Sequence, residues 1–115
     1  YPDRPLEQAL ADCRADCGAA LFVLTLGADG ARGFVNDLAV HVPSTPVKTM
    51  VDTVGAGDTF MASLLGWAST TGRDSRTALE QTDEASLTAA LSHAAKAAAL
   101  NCGRSGCNPP WSHEL

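Results

Sequence analysis

Hydrophobic residues recur at helical spacing near the start of the chain and then form a continuous run. One apolar stripe predicts a helix over residues 6–17, which Gly18 ends. Its members are Leu6, Ala9, Leu10, Cys13 and Cys17. The apolar run at residues 20–26 stops at Gly27, as is typical of a strand buried on both faces of a parallel sheet. A helix followed by such a strand predicts an α/β fold.

Glycines, prolines and short polar runs divide the middle of the chain. Residues 27–30 predict a turn, and residues 31–35 and 38–42 predict two short antiparallel strands joined by Asn36 and Asp37. The prolines that follow predict a loop. A glycine cluster then precedes the next helical pattern.

Three helices are predicted in the second half of the chain. Residues 58–69 carry an apolar face that includes Trp67, which we expect in the core. Residues 75–81 predict a short helix. Residues 84–100 predict a helix rich in alanine, whose small side chains allow close packing on a sheet. The glycines and prolines of residues 101–110 predict an ordered loop.

Composition narrows the classes of function. The chain has 115 residues, 45% of them hydrophobic, which suits one small globular domain. Its net charge is -5 and its basic residues are scattered, so no nucleic-acid partner is expected. The longest apolar stretch, residues 19–26, is too short to span a bilayer, and we expect a cytoplasmic protein with no membrane partner.

Cysteines and histidines offer a competing interpretation, a small zinc or redox module. The four cysteines are Cys13, Cys17, Cys102 and Cys107. Neither pair has the C-x2-C spacing of common zinc sites, so free thiols in a reducing compartment are the favoured interpretation. The three histidines, His41, His93 and His113, show no ligand pattern and are expected at the surface or as caps.

The glycine cluster is the strongest chemical feature of the sequence. Gly55, Ala56 and Gly57 stand before an amphipathic helix, where backbone N–H groups and the helix dipole form a cradle for an anion. The cradle has no lysine and is not a Walker P-loop. Asp58 in the first turn would repel a phosphate, so it suits a general base better than a phosphate ligand. The alternative is that Asp58 only caps the helix; Asp52, a second carboxylate, favours a site near a cation.

The segment Asp52-Thr53-Val54-Gly55-Ala56-Gly57-Asp58-Thr59-Phe60 resembles the second signature of the ribokinase-like (PfkB) carbohydrate kinases, D-T-x-G-A-G-D-[ST]-F, at every fixed position. Residues 23–30 resemble the strand and nucleotide loop of that family, and residues 100–110 resemble its closing loop. The flanking sequences look most like bacterial fructokinases. The resemblance implies the C-terminal part of a three-layer α/β/α sandwich.

The resemblance also implies roles for single residues. Asp58 would be the catalytic base and contact the sugar hydroxyl, while Gly55, Ala56 and Gly57 would form the anion hole for the transferring phosphoryl group. The nucleotide site would comprise Thr25, Leu26, Gly27, Ala28, Asp29 and Gly30, with Gly57. A monovalent cation, usually K⁺, would lie among Asp52, Val54, Asn101, Arg104, Gly106 and Asn108. Ala95 replaces an asparagine or histidine that the family often places near adenine.

The function implied is ATP-dependent phosphorylation of a sugar hydroxyl with Mg²⁺, on fructose or, alternatively, on 2-keto-3-deoxygluconate or ribose. We expect residues 1–115 to be the nucleotide-binding and catalytic-base portion of a larger kinase whose N-terminal sugar-binding part is absent. A non-catalytic nucleotide-binding remnant is the other hypothesis. The resemblance leaves a homodimer of the full-length protein open.

Overall fold

Four helices and one three-stranded sheet make up the part of the chain that can be described. The structure is a computed structural model, which describes residues 3, 5–46, 55–73 and 75–102. The elements in chain order are α1 (Leu6–Cys17), β1 (Leu21–Thr25), a 3-10 turn (Gly27–Asp29), β2 (Ala31–Val35), β3 (Leu38–Val42), α2 (Ala56–Thr70), α3 (Arg76–Glu80) and α4 (Glu84–Cys102).

Glycine ends α1 as the sequence predicts. Gly18 adopts a left-handed conformation with φ of 60°, and its N–H donates to the carbonyl of Arg14 at 3.1 Å. This bond satisfies one of the carbonyls that a helix leaves unpaired at its C-terminus. The chain then reverses into β1.

The sheet is an antiparallel meander in the order β1-β2-β3. The predicted hairpin is confirmed: Val35 pairs with Leu38, and Asn36 in the turn has a φ of 50°. The Asn36 amide also donates to the carbonyl of Glu80 at 3.1 Å. The hairpin is thereby attached to the end of α3.

The expectation for β1 was partly wrong. The run is a strand, but it pairs antiparallel with β2, and its apolar residues are half-buried on this edge of the sheet. The connection from β1 to β2 is a single 3-10 turn, which is far too short for the crossover that a parallel pair requires. The continuous apolar run predicted that β1 would be buried, whereas the short connection to β2 determined that the two strands pair antiparallel.

One face of the sheet packs against α4. Gly33 in the central strand lies so close to α4 that a Cβ there would be 2.8 Å from the Cδ1 of Leu91. Leu87 and Leu91 are fully buried. Phe60 and Leu64 of α2 join the same cluster, which brings α2 against α4. This face contains most of the hydrophobic core.

The opposite face of the sheet is covered by α1. Phe34 points away from the Gly33 side because side chains alternate along a strand. The guanidinium of Arg14, from α1, lies 4.5 Å from the centre of the Phe34 ring, and that of Arg32 lies 5.1 Å from it. Glu7 holds Arg32 through contacts of 2.7 and 3.2 Å. Helices therefore lie on both faces of the sheet, as the predicted α/β/α class requires.

The last helix is longer than the sequence predicts. It continues through Asn101 and Cys102, which we had assigned to a loop. Asn101 is fully buried, so this turn has a place in the packed interior that favours helix over loop. Within the described residues, no helix combines the length and apolarity needed to cross a bilayer.

Gly30 and Gly72 form a matched pair for a stability test. Both have a positive φ, 92° and 73°, but a Cβ on Gly30 would overlap the carbonyl oxygen of Val42, while a Cβ on Gly72 would meet no described atom within 4 Å. Gly30→Ala should lower the free energy of unfolding by about 2–5 kcal/mol, since strain and a backbone clash combine. Gly72→Ala should cost only about 1–2 kcal/mol. Equal losses in chemical denaturation would contradict this packing.

Asp83 caps α4 and makes its stability depend on pH. The Ser86 N–H donates to Asp83 Oδ1 at 2.7 Å, and this bond, with that of the Ser86 hydroxyl, lowers the pKa of Asp83. A carboxyl whose pKa falls on folding stabilises the protein above its unfolded pKa, and this contribution is lost as pH drops through the folded pKa.

Asp83→Ala should therefore destabilise the protein most near neutral pH, and the difference from wild type should shrink toward acid pH. Asp83→Asn is the control, because it keeps an acceptor oxygen that does not titrate. Thermal unfolding across pH measures both. A difference between wild type and Asp83→Ala that stays constant with pH would refute the titrating cap.

Candidate active site

The glycine cluster begins α2 in the way that an anion cradle requires. Gly55 is the N-cap and has a φ of 80°, a conformation that glycine adopts without steric cost. Its carbonyl accepts the N–H of Thr59 at 2.8 Å, which is the first turn of the helix. The N–H groups of Ala56, Gly57 and Asp58 precede that bond and have no acceptor within the helix. They point out of its positive end.

Gly57 and Asp58 are open to a ligand. Both are exposed, and a Cβ built on Gly57 would meet no described heavy atom within 4 Å. The Asp58 side chain is the acidic residue of the first turn and makes no side-chain cap of α2. The simple alternative, in which Asp58 serves as the N-cap, therefore does not fit, because Gly55 occupies that position.

Two hydroxyls on α2 are buried next to this turn. Thr59 follows Asp58 and is 5% exposed, and Ser63 lies one turn further along. Within the described part of the chain, neither Thr59 Oγ1 nor Ser63 Oγ has a hydrogen-bond partner. A buried hydroxyl without a partner costs about 1–3 kcal/mol, and such groups are rare in folded proteins. From the sequence, only the spacing of four residues between Thr59 and Ser63 could have indicated this pair.

The predicted nucleotide loop is a compact turn at the end of β1. Leu26 N–H donates to the carbonyl of Gly30 at 2.8 Å, and Gly30 N–H donates to that of Gly27 at 3.1 Å. Gly27 has a φ of 57°, and a Cβ built on it would meet no described heavy atom within 4 Å. Thr25 and Asp29 are exposed, while Gly30 is buried against β3. Ala28 completes the 3-10 turn.

The two candidate segments are anchored to the same core. Ala31 follows the nucleotide turn and pairs with Val42 at the end of β3. Both belong to the buried cluster that contains Phe60, which is two residues beyond Asp58. A rigid core therefore holds both segments, as a preorganised site needs.

His41 contacts the nucleotide turn, which the sequence interpretation missed. Its Nε2 lies 2.9 Å from the carbonyl oxygen of Asp29. The sequence predicts His41 at the surface or as a cap; it is exposed, and its side chain also contacts the backbone of the turn. The signal was present in the predicted hairpin, because the pairing of residue 31 with residue 42 puts His41 beside the turn.

The predicted cation site falls mostly outside the described residues. The members of the predicted site that lie outside the described residues are Asp52, Val54, Arg104, Gly106 and Asn108. Asn101 is described and is buried in the last turn of α4. Among the residues whose structure is known, no group of three or more His, Cys, Asp or Glu could hold a metal ion.

Two other residues singled out from the sequence have structural roles. Ala95, which stands where relatives often carry an adenine contact, is part of the hydrophobic core of α4. Trp67 also packs against that core, as predicted, and the Arg73 guanidinium lies 4.8 Å from the centre of its ring. Cys13 and Cys17 are free thiols.

The chain is similar to fructokinases in sequence and in fold. It is 60% identical to a fructokinase of Rhizobium leguminosarum bv. trifolii over 48 residues, which are 42% of this chain and 14% of that protein. The fructokinase of Vibrio cholerae O395, solved with fructose, ADP and calcium ion, is 28% identical, with a TM-score of 0.68 over 90% of this chain and 31% of its own. The fructokinase of Xylella fastidiosa with bound ATP is 25% identical, with a TM-score of 0.76 over 87% of this chain and 31% of its own.

These matches confirm the resemblance read from the signature, and with it the ribokinase-like fold. The chain spans about a third of the length of the solved kinases that it matches. The sequence model of the pfkB family carbohydrate kinases matches residues 4–114. Since that match covers nearly the whole chain, the protein belongs to the pfkB family of carbohydrate kinases.

Proposed function

We propose that this chain is the nucleotide-binding and catalytic-base portion of a kinase that transfers the γ-phosphoryl group of ATP to a hydroxyl of a sugar, with fructose as the first candidate. The observation that carries the proposal is the start of α2. There a left-handed Gly55 opens a helix N-terminus beside the unobstructed Gly57 and the exposed Asp58. Family membership and the similarity to fructokinases support the same reaction.

In the proposed reaction the sugar oxygen attacks the γ-phosphorus while the bond from that phosphorus to the bridging oxygen of ADP breaks. Asp58 accepts the proton of the attacking hydroxyl, and the bridging oxygen keeps the electron pair. The N–H groups of Ala56 and Gly57 stabilise the negative charge on the transferring group. They need no rearrangement to do so because the helix fixes them.

The turn at the end of β1 supplies the proposed nucleotide contacts. A Cβ on Gly27 would meet no atom of the described residues within 4 Å, so in the proposed site a phosphate or ribose can approach its backbone closely. The buried Gly30 fixes the opposite end of the turn against β3. Thr25 and Asp29 complete the exposed rim of this surface.

Magnesium fits the proposed site as part of the nucleotide rather than as a resident metal. Mg²⁺ is commonly bound by substrate phosphates, waters and one or two carboxylates. The exposed carboxylate of Asp29 suits that limited role, and the ion would neutralise phosphate charge when bound. A K⁺ site around Asp52 and Asn101 is part of the proposal. The free thiols of Cys13 and Cys17 agree with a cytoplasmic location.

A sugar panel tests the proposed function directly. The complete gene product should release ADP from ATP and Mg²⁺ only when a sugar is added, with fructose turned over faster than ribose or 2-keto-3-deoxygluconate. A coupled assay of ADP release measures this. A preference for another sugar would correct the substrate, and no turnover with any sugar would identify a nucleotide-binding remnant.

Asp58→Asn should lower kcat by about 10²–10⁴-fold, since a base acts only in the transition state. The affinity for ATP, measured by calorimetry, should stay nearly the same. Asp37→Asn, an exposed change in the hairpin turn, is the control and should leave both quantities unaltered. Retention of wild-type kcat in Asp58→Asn would show that the base is another residue.

Gly57→Ala and Gly66→Ala separate cradle function from helix stability. Both glycines lie in α2, both are exposed, and a Cβ on either would meet no described atom within 4 Å. Each change should raise helix stability by about 0.5–1 kcal/mol. Only Gly57→Ala should reduce kcat/KM, because its methyl group enters the space proposed for the phosphoryl group.

Thermal unfolding and steady-state kinetics measure this pair of variants. If both variants become more stable and both keep full activity, the anion hole does not lie at Gly57. If both lose activity to the same extent, the effect belongs to the helix as a whole, and the proposed contact is wrong.

A further inference from the structure

The turn between β1 and β2 has few bonds of its own. Two of its hydrogen bonds join Gly27 to Gly30 and Leu26 to Gly30. The third donates from Asp29 N–H to the carbonyl of Leu26 at 3.1 Å. All three are local, so the orientation of the turn relative to the sheet depends on contacts from outside it.

Strand β3 provides those contacts from the other side of the hairpin. The Val42 carbonyl and Pro43 stand against the Cα of Gly30 so closely that a Cβ would overlap them. His41 Nε2 lies 2.9 Å from the Asp29 carbonyl oxygen. A carbonyl oxygen only accepts, so the imidazole is the donor and carries its proton on Nε2.

Arg32, the cross-strand partner of His41, is bound to α1 and not to the turn. Arg32 faces His41 across the β2–β3 pair, in the row next to the end of the sheet. Its guanidinium is bound to both carboxylate oxygens of Glu7 on α1. The ion pair raises the pKa of Arg32 and lowers that of Glu7, so both groups remain charged and together. Of this cross-strand pair, His41 contacts the turn and Arg32 contacts α1.

We propose that His41 is a positioning residue for nucleotide binding. Its bond to the Asp29 carbonyl fixes the peptide that joins Asp29 to Gly30, and with it the direction in which the turn presents its backbone. A nucleotide then meets a preformed surface and does not have to order it on binding. This inference rests on the proposed function, since it takes the turn to be the nucleotide site.

His41→Ala should raise KM for ATP by about two- to tenfold, the effect of losing one hydrogen bond. The kcat and the KM for sugar should change little, because His41 touches neither the phosphoryl group nor the proposed base. His41→Gln should recover most of the affinity, since the amide nitrogen of glutamine stands about where Nε2 stood. His41→Asn should not, because its amide is too short to reach Asp29.

His93→Ala is the matched control, because His93 is also exposed but lies on α4. It should leave KM for ATP unaltered. An equal rise in KM in both variants, or an equal loss of affinity in His41→Gln and His41→Ala, would overturn the positioning role.

Amide hydrogen exchange keeps this inference separate from the proposed function. In the complete protein without nucleotide, the N–H groups of Leu26 and Gly30 should exchange about two- to tenfold faster in His41→Ala than in wild type. Unchanged exchange would overturn the inference even if the kinase is active. If wild type phosphorylates no sugar while His41→Ala speeds exchange and weakens ADP binding, the positioning role stands and the proposed function alone fails.

Discussion

The close contact between Gly33 and Leu91 is the constraint on which the rest of the described structure depends. Only a residue without a side chain lets the central strand come this near to α4, since even a Cβ would be 2.8 Å from Leu91 Cδ1. That approach buries Leu87 and Leu91 completely. Burying each such leucine contributes roughly 1.5–3 kcal/mol, so this short distance supplies much of the driving force for the α4 side of the sheet.

The edge of the hydrophobic core determines where the candidate site lies. Ala31 and Val42 close the sheet next to the nucleotide turn, and Phe60 reaches the same cluster from the first turns of α2. The exposed carboxylate of Asp58 therefore lies two residues before Phe60, whose buried side chain attaches the start of α2 to the core. The turn proposed to bind the nucleotide is likewise supported by the end of β3, through the Gly30 contact and the bond from His41. The site consists of short exposed segments on a rigid base, which is how catalytic loops keep their geometry.

Local signals predicted most of the helices and strands of the described structure. The hairpin at residues 31–42 was correct because a two-residue polar turn between alternating strands specifies its own register. Gly18 ends α1 as predicted, because backbone conformation at a helix end depends on single residues. The start of α2 was predicted two residues too late, since Ala56 and Gly57 already belong to the helix and Gly55 is its N-cap. The direction in which β1 pairs could not be predicted from its apolar run, since it depends on the length of the connection to β2 and on which strand lies beside it. The last turn of α4 was misjudged for a similar reason, because Asn101 joins the helix where packing buries it.

The sequence by itself determined which groups stand at the start of α2, because Gly55 adopts the left-handed N-cap conformation at no steric cost and Ala56, Gly57 and Asp58 follow it in the first helical turn. It also determined the class of fold, since helical and strand periodicities are local properties of the chain. Only the tertiary structure decided which residues support the site. Contacts between residues that are distant in sequence provide this support. They are the hydrogen bond from His41 to Asp29, the close approach of Gly30 to Val42 and the burial of Thr59. Such contacts depend on the packing of the sheet against its helices, which no local pattern specifies.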